Sequence, residues 1–363
     1  MLRTATQSLQ RYCYNKLSIQ RLSSSNIFHN STRSHPDGAK MRFQPITGTE
    51  MPRFAGIATL MRLPHIDPVD VSKHDVHIGL VGVPWDGGTT NRSGARAGPR
   101  AVRDVSTAVR NVNRATGVNP FALCNCVDLG DAPVNPLCLT DSMESITGFY
   151  NTLIQNNVSP LTVGGDHLLS LPVLRAVAKD EPVGLIHIDA HADTWDSYFD
   201  GSRYSHGTVF RRAIEEGLVD PHKTVQVGLR GALYADALDS WGEEQGIRVI
   251  DIDDFHNLGL TRVLSEIHST VGSSPTYVSF DIDSIDPAFA PGTGTPEIGG
   301  LTTIEALRLI RGLRGINMVG GDVVEVAPQY DPTTNTALAA ATVMYELLCI
   351  LSESLHKRRP GAN

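Results

Sequence analysis

Short runs of Val, Ile and Leu alternate along most of the chain with longer stretches in which apolar residues recur at helical spacing. Eight runs read as strands, at 78–83, 126–129, 160–163, 183–188, 224–228, 248–252, 276–280 and 318–326. Helical patterns fill the intervals near 99–112, 141–156, 168–178, 208–216, 233–244, 260–271 and 302–313, and a long one closes the chain over 337–355. Several strands are aliphatic nearly throughout rather than alternating, as strands covered on both faces are. The pattern predicts an α/β protein of three layers, α/β/α, around a parallel sheet of roughly eight strands. Ligands of such sheets collect at the carboxyl ends of the strands. No repeat or low-complexity tract competes with this reading.

The polar residues that interrupt the pattern gather at those ends. Asp189, His191 and Asp193 stand at every second position after the strand 183–188, so extended backbone would turn all three to one side. Asp281 and Asp283 repeat the spacing after 276–280, and His167 follows Val-Gly-Gly-Asp after 160–163. An Asp-x-Asp alone is most often a solvated loop. Four carboxylates and two imidazoles beside Ile, Val and Phe would instead repel one another unless cations neutralised them. Two divalent metals would do so. An oxygen-rich set with two imidazoles and no thiolate suits Mn2+ better than tetrahedral zinc, with Ni2+, Co2+ or Fe2+ also open.

Composition narrows the picture further. The first 36 residues carry Arg3, Arg11, Lys16, Arg21 and Arg33 among many Ser and Thr and no acid, the composition of a mitochondrial presequence; a disordered cytosolic tail is the alternative. Residues 37–363 read as one catalytic domain. Setting those five cations aside from 31 leaves 26 against 39 acidic residues, a net charge near −13 that argues against a nucleic-acid partner. No apolar run approaches the ~20 residues of a membrane span, so a soluble protein with no membrane partner is expected. Five cysteines show no framework spacing; Cys13 is expected to leave with the presequence and Cys124, Cys126, Cys138 and Cys349 to be reduced thiols. The loop 84–99, rich in Gly, Thr and Asn and carrying Arg92 and Arg96, is either an active-site rim or a subunit-contact loop.

The blocks Val-Gly-Gly-Asp-His167, Asp189-Ala-His191-Ala-Asp193, Ser205-His206-Gly207-Thr208, Ser279-Phe-Asp281-Ile-Asp283, Gly292-Thr-Gly-Thr-Pro296-Glu297 and Asp322-Val-Val-Glu325 resemble the signature blocks of the ureohydrolases. The blocks stand in order, the match runs from about Met51 to about Ser352, and Asn91 to Arg100 is similar to the agmatinase branch rather than to arginase. The resemblance implies one metal held by His167, Asp189, Asp193 and Asp281 and a second by Asp189, His191, Asp281 and Asp283, with Asp189 and Asp281 shared. It implies hydrolysis of a linear guanidino compound, first agmatine to putrescine and urea, alternatively guanidinobutanoate, another guanidino acid or guanidine. Asp193 would then carry the proton to the departing amine, Glu325 would hold the guanidinium in bidentate fashion, and His206 would shuttle protons or touch substrate. Trp195 could line the substrate tail. A trimer or hexamer and a mitochondrial matrix location are also implied. Two-metal phosphoester hydrolysis is disfavoured by Asp286 and Glu325 where cations would be needed, and a non-catalytic regulator by the complete ligand set.

Overall fold

The computed structural model describes residues 43–233 and 240–359, which fall in one compact unit. The expected presequence, and the middle of the helix expected over 233–244, lie outside the described residues; Ser240–Gln245 is helical. Eight parallel strands form one sheet: β1 Ile78–Val83, β2 Cys126–Asp131, β3 Ser159–Gly164, β4 Val183–Ile188, β5 Val219–Val227, β6 Arg248–Ile250, β7 Thr276–Asp281 and β8 Met318–Val324. Their order is β2-β1-β3-β8-β7-β4-β5-β6, every neighbouring pair parallel. The chain passes from β3 to β4 across a gap later filled by β7 and β8, so four strands distant in sequence end side by side at the middle of the sheet.

Alternation along the strands feeds two separate cores. In β4, Ile186 and Ile188 enter one and Val183 and Leu185 the other. The first core is closed by Gly98–Ser106, Leu260–Val271, Thr303–Gly312 and Asn335–Arg358, the second by Leu139–Gln155, Ser170–Val177 and Val209–Glu215. The three-layer expectation is met. Thr302 caps its helix with a reciprocal Thr302–Glu305 box, which satisfies two main-chain donors that would otherwise be orphaned.

Several boundaries move for local reasons. The helix expected over 99–112 begins at Gly98 and ends at Ser106, and the chain turns at Asn113, whose Oδ1 takes the Ala115 and Thr116 amides. The strand expected to reach 252 stops at Ile250, because Asp251 caps a seven-residue helix, Ile252–Leu258, that the apolar pattern did not reveal. Length also needs correcting: Asn335–Arg358, at 24 residues, is long and apolar enough to cross a membrane, against the expectation that nothing approaches that size. Polar Thr, Tyr, Glu and Ser interrupt its sequence, yet most of its surface is buried against β8 and the helices Gly98–Ser106 and Thr303–Gly312. It is a core helix.

Candidate metal centre

β3, β4, β7 and β8 each deliver polar residues at their carboxyl ends. β3 runs into Gly164-Gly165-Asp166, where a Cβ on Gly165 would stand 1.6 Å from the Trp85 carbonyl, so the close approach of the 84–90 loop needs glycine there. Asp166 accepts the amides of Leu168 (3.0 Å) and Gly88 (2.6 Å), which starts the turn that carries His167 and ties the loop to it. Burial and the neighbouring Glu325 push Asp166 up to about 7.

Asp189, Asp281 and Asp283 share one local design. Each commits one carboxylate oxygen to a main-chain N–H: Asp189 to His191 at 2.7 Å, Asp281 to Asp283 at 2.8 Å, Asp283 to Ala190 at 3.2 Å. The other oxygen turns inward. The His167 Nδ1 atom then lies 3.1 Å from Asp189, 3.0 Å from Asp193 and 3.2 Å from Asp281. His191 Nδ1 stands 3.1 Å from Asp283 and 3.5 Å from Asp189. All six expected ligands therefore meet in one place. Asp193 reaches it with a left-handed backbone, φ 53°, a conformation costly for a residue with a Cβ.

The charges do not balance within the protein. No Lys or Arg side chain forms an ion pair with any of the four buried carboxylates among the described residues; the Arg230 guanidinium bonds the Asp283 main-chain carbonyl at 2.6 Å and acts on Asp283 and Asp189 only through space. Burial, then Asp283 and Asp189, hold Asp281 well above the carboxylate range, and burial and Asp189 raise Asp283. Burial pushes Asp189 the same way, but His187, His167 and His191 pull it well below. Burial disfavours charge on His167, yet Asp189, Asp193 and Asp281 outweigh it and hold the ring well above the ordinary range. Protons stand in for missing positive charge. The His167 Nδ1 atom is nonetheless buried with no hydrogen-bond partner in acceptable geometry. An orphaned ring nitrogen facing three carboxylate oxygens fits a divalent cation.

Geometry offers a further histidine, His187, which lies near the same oxygens. Both its nitrogens are engaged elsewhere. The Gln226 amide, oriented by its 2.6 Å bond to the Ala192 carbonyl, donates to His187 Nδ1 at 3.0 Å, so Nε2–H donates to Asp189 at 2.7 Å. His187 thus holds Asp189 and is not a ligand. Sequence reasoning missed it, although its place two residues before Asp189 on β4 puts it on the same face.

Glu325 sits one residue past β8 with φ 63°, not within the strand as expected. Its Oε1 accepts the His167 amide at 2.8 Å and His206 Nδ1 at 2.9 Å, and its Oε2 is buried without a partner. One oxygen, rather than two, is left free to accept. His206 Nε2 meets the Thr90 amide at 3.1 Å and the Thr90 hydroxyl at 2.7 Å. Burial opposes protonation of His206, and Glu325 more than offsets it, raising the ring to about 9. The Thr90 amide acts the other way, because a main-chain N–H aimed at Nε2 needs a lone pair there. Trp195 is half-buried, its amide bonded to the Gly207 carbonyl and its ring edge-on to Tyr198.

The 84–99 loop forms the rim. Thr90 touches His206, and Asn91 and Arg92 bond the carbonyls of Thr293 and Gly294, with Arg92 stacked 4.5 Å from the Tyr330 ring centre. Buried Asp86 anchors the loop through the Gly94 amide and Arg96.

Comparison with known proteins bears on the family and the fold. The sequence profile described as "Arginase family" matches residues 76–349. A guanidinopropionase of Pseudomonas aeruginosa is 54% identical over 86% of this chain and 96% of its own length. The mitochondrial agmatinase of Gallus gallus is 43% identical over 92% of this chain and 97% of its own. The structure of the proclavaminate amidino hydrolase of Streptomyces clavuligerus superposes with TM-score 0.79 at 42% identity, covering 84% of this chain and 99% of that one. Matching profile, relatives aligned over nearly their whole length and a shared fold together establish that the chain belongs to the arginase family, as an amidinohydrolase of guanidino compounds.

Proposed function

We propose that this protein hydrolyses a linear guanidino compound to an amine and urea at a centre of two divalent cations, Mn2+ first among them. The observation that carries the reading is the orphaned His167 Nδ1 among three inward carboxylate oxygens that form no ion pair with a Lys or Arg of the described residues. His167, Asp189, Asp193 and Asp281 would hold one cation, and Asp189, His191, Asp281 and Asp283 the other. When bound, the pair would supply polarising charge and an acidified water.

The protein's own groups do the rest. Glu325 accepts a guanidinium N–H with its free Oε2, while Oε1 stays with His167 and His206. That carboxylate is buried, so water competes poorly for it. Asp193 takes the proton of the attacking water and passes it to the departing amine nitrogen, and His206, held between Glu325 and Thr90, relays protons or contacts substrate. Trp195 lines the tail of the substrate.

The substrate expected from the rim sequence is agmatine. A guanidino acid is the second reading, favoured because the guanidinopropionase is 54% identical and the agmatinase 43%. The first experiment is urea release by the purified Mn2+-loaded protein from agmatine, arginine, guanidinobutanoate, guanidinopropionate and guanidine. One strongly preferred substrate identifies the tail; no urea from any of them overturns the proposal. The basic, acid-free composition of residues 1–36 and the mitochondrial agmatinase of Gallus gallus support a mitochondrial presequence, a single domain over 37–363 and a matrix location. A trimer or hexamer completes the proposal, and sedimentation of the purified protein tests it.

A further inference from the structure

Asp322 lies in the central strand β8 with no exposed surface. It pairs with no cation among the described residues. Instead it accepts three hydroxyl groups: Ser279 at 2.6 Å on Oδ1, and Ser170 at 2.6 Å and Tyr277 at 2.9 Å on Oδ2. Burying such a group is costly unless its acceptor positions are filled, and here hydroxyls from two elements fill them. Neither the expected ligand set nor the substrate contacts use it.

The direction of those bonds decides where the His167 proton sits. Ser279 gives its single proton to Asp322, so its oxygen meets His167 Nε2, 2.8 Å away, as an acceptor. Nε2 must then carry hydrogen. In the neutral ring the lone pair is left on Nδ1, the atom that faces Asp189, Asp193 and Asp281. A serine hydroxyl released from Asp322 would be free to turn and donate to Nε2, which would put the ring proton on Nδ1 and close the ligand position.

We propose that Asp322 is a positioning residue of the cation centre: acting through Ser279, it fixes His167 in the tautomer that offers Nδ1 to a metal and makes that nitrogen a stronger ligand. The proposal rests on the dimetal reading above. A hydrogen-bond partner behind a metal-bound histidine commonly tunes affinity by about 10–100-fold when removed. The relay also predicts a coupling pattern that simple packing does not.

The test is Mn2+ binding to cation-stripped, full-length protein, measured by competition with a metallochromic chelator, for the wild type, S279A, D322L, the double variant and S170A; leucine leaves no acceptor for the Ser279 hydroxyl. S279A and D322L each weaken one of the two binding events by about 10–100-fold. The double variant binds no more weakly than S279A, because Asp322 has nothing left to act through. S170A, which removes a different hydroxyl from Asp322 without touching His167, binds within about threefold of wild type. Losses that add in the double variant, or normal binding by folded S279A and D322L, overturn the relay. If D322L fails to fold by circular dichroism, S279A against S170A still decides, and equal effects of the two overturn it. A wild type that binds no Mn2+ overturns the dimetal reading itself, which separates that failure from failure of the relay.

Discussion

Two acidic strand ends in this sheet look alike in sequence and are solved in opposite ways. At the end of β2, Asp128 and Asp131 meet Arg103, whose Nε is 3.0 Å from Asp128 and whose Nη1 is 2.5 Å from Asp131, while the Leu60 and Gly130 amides take further lone pairs of Asp128. The buried Asp128 has its counter-charge within the chain, and the second carboxylate, Asp131, is exposed to solvent. At the ends of β4 and β7, four buried carboxylates face the imidazoles of His167, His191 and His187, and none is ion-paired with a Lys or Arg among the described residues. Carboxylate clusters at strand ends are thus not informative by count; what separates structure from chemistry is whether the fold also supplies the opposing cation. Where it does not, something from solution must.

The comparison breaks most decisively at Asp281. Asp281→Asn removes one inward charge from the position shared by both proposed cations, and is expected to lose bound Mn2+ and to cut turnover by more than about 10³-fold, ~4 kcal/mol of barrier. Elemental analysis alongside urea release checks it, and full metal content with full turnover contradicts the shared-ligand role. Arg103→Met is the mirror experiment. It strands Asp128 without its partner and is expected to cost about 3–5 kcal/mol of stability, read by denaturant unfolding, while Mn2+ content is unchanged. Loss of metal from the folded Arg103 variant would mean that the two ends are not independent.

Proton linkage sharpens the contrast. In the cation-free protein Asp281, Asp283, His167 and His191 are all raised, against a lowered Asp189, so on balance the folded centre holds protons that the unfolded chain releases. Raised groups stabilise the fold below their unfolded pKa values, and that stability is lost as pH rises toward the folded values. The stripped protein is therefore expected to become less stable from about pH 5 to pH 8, the span that begins above the unfolded carboxylate range. With saturating Mn2+ the sign should reverse, because cation binding requires those protons to leave, and at 100 times Kd the cation adds about 2.7 kcal/mol. Urea midpoints at the two pH values, with and without Mn2+, measure both signs; parallel curves would count against a centre that trades protons for metal.

How much of this the sequence discloses depends on the distance over which each contact acts. The eight strands are legible because aliphatic runs bounded by helical spacing are local, and the six ligands because period-two spacing fixes a face before any tertiary contact forms. Glu325 reads as part of a strand because its left-handed φ leaves no mark in a run of Val residues. The long closing helix escaped the apolar-run test because its polar residues break the string while the helix still buries most of its surface. The supporting bonds are less legible still. Ser279 to Asp322 spans 43 residues, Thr90 to His206 spans 116, and Ser170 to Asp322 spans 152, so only the sheet order brings those partners together.

The smallest expected effect is at His206, where the two kinds of electrostatics meet in one ring. Glu325 faces Nδ1 and favours a proton; the Thr90 amide faces Nε2 and disfavours one. Glu325→Gln keeps an oxygen that can accept from the His167 amide and from His206 Nδ1–H, so the local structure should persist while the charge is lost. Burial of the ring then acts with less opposition, and the titration of His206, raised to about 9 beside Glu325, is expected to move down. The sign for stability follows: the favourable contribution of the protonated ring is complete below its unfolded pKa near 6.5 and lost as pH rises through about 9, and the variant should lack it. A histidine-selective NMR titration of wild type and variant, both cation-free, reads this directly. A His206 that titrates at the same pH in both would show that the Thr90 amide, and not the Glu325 charge, sets the protonation of the ring.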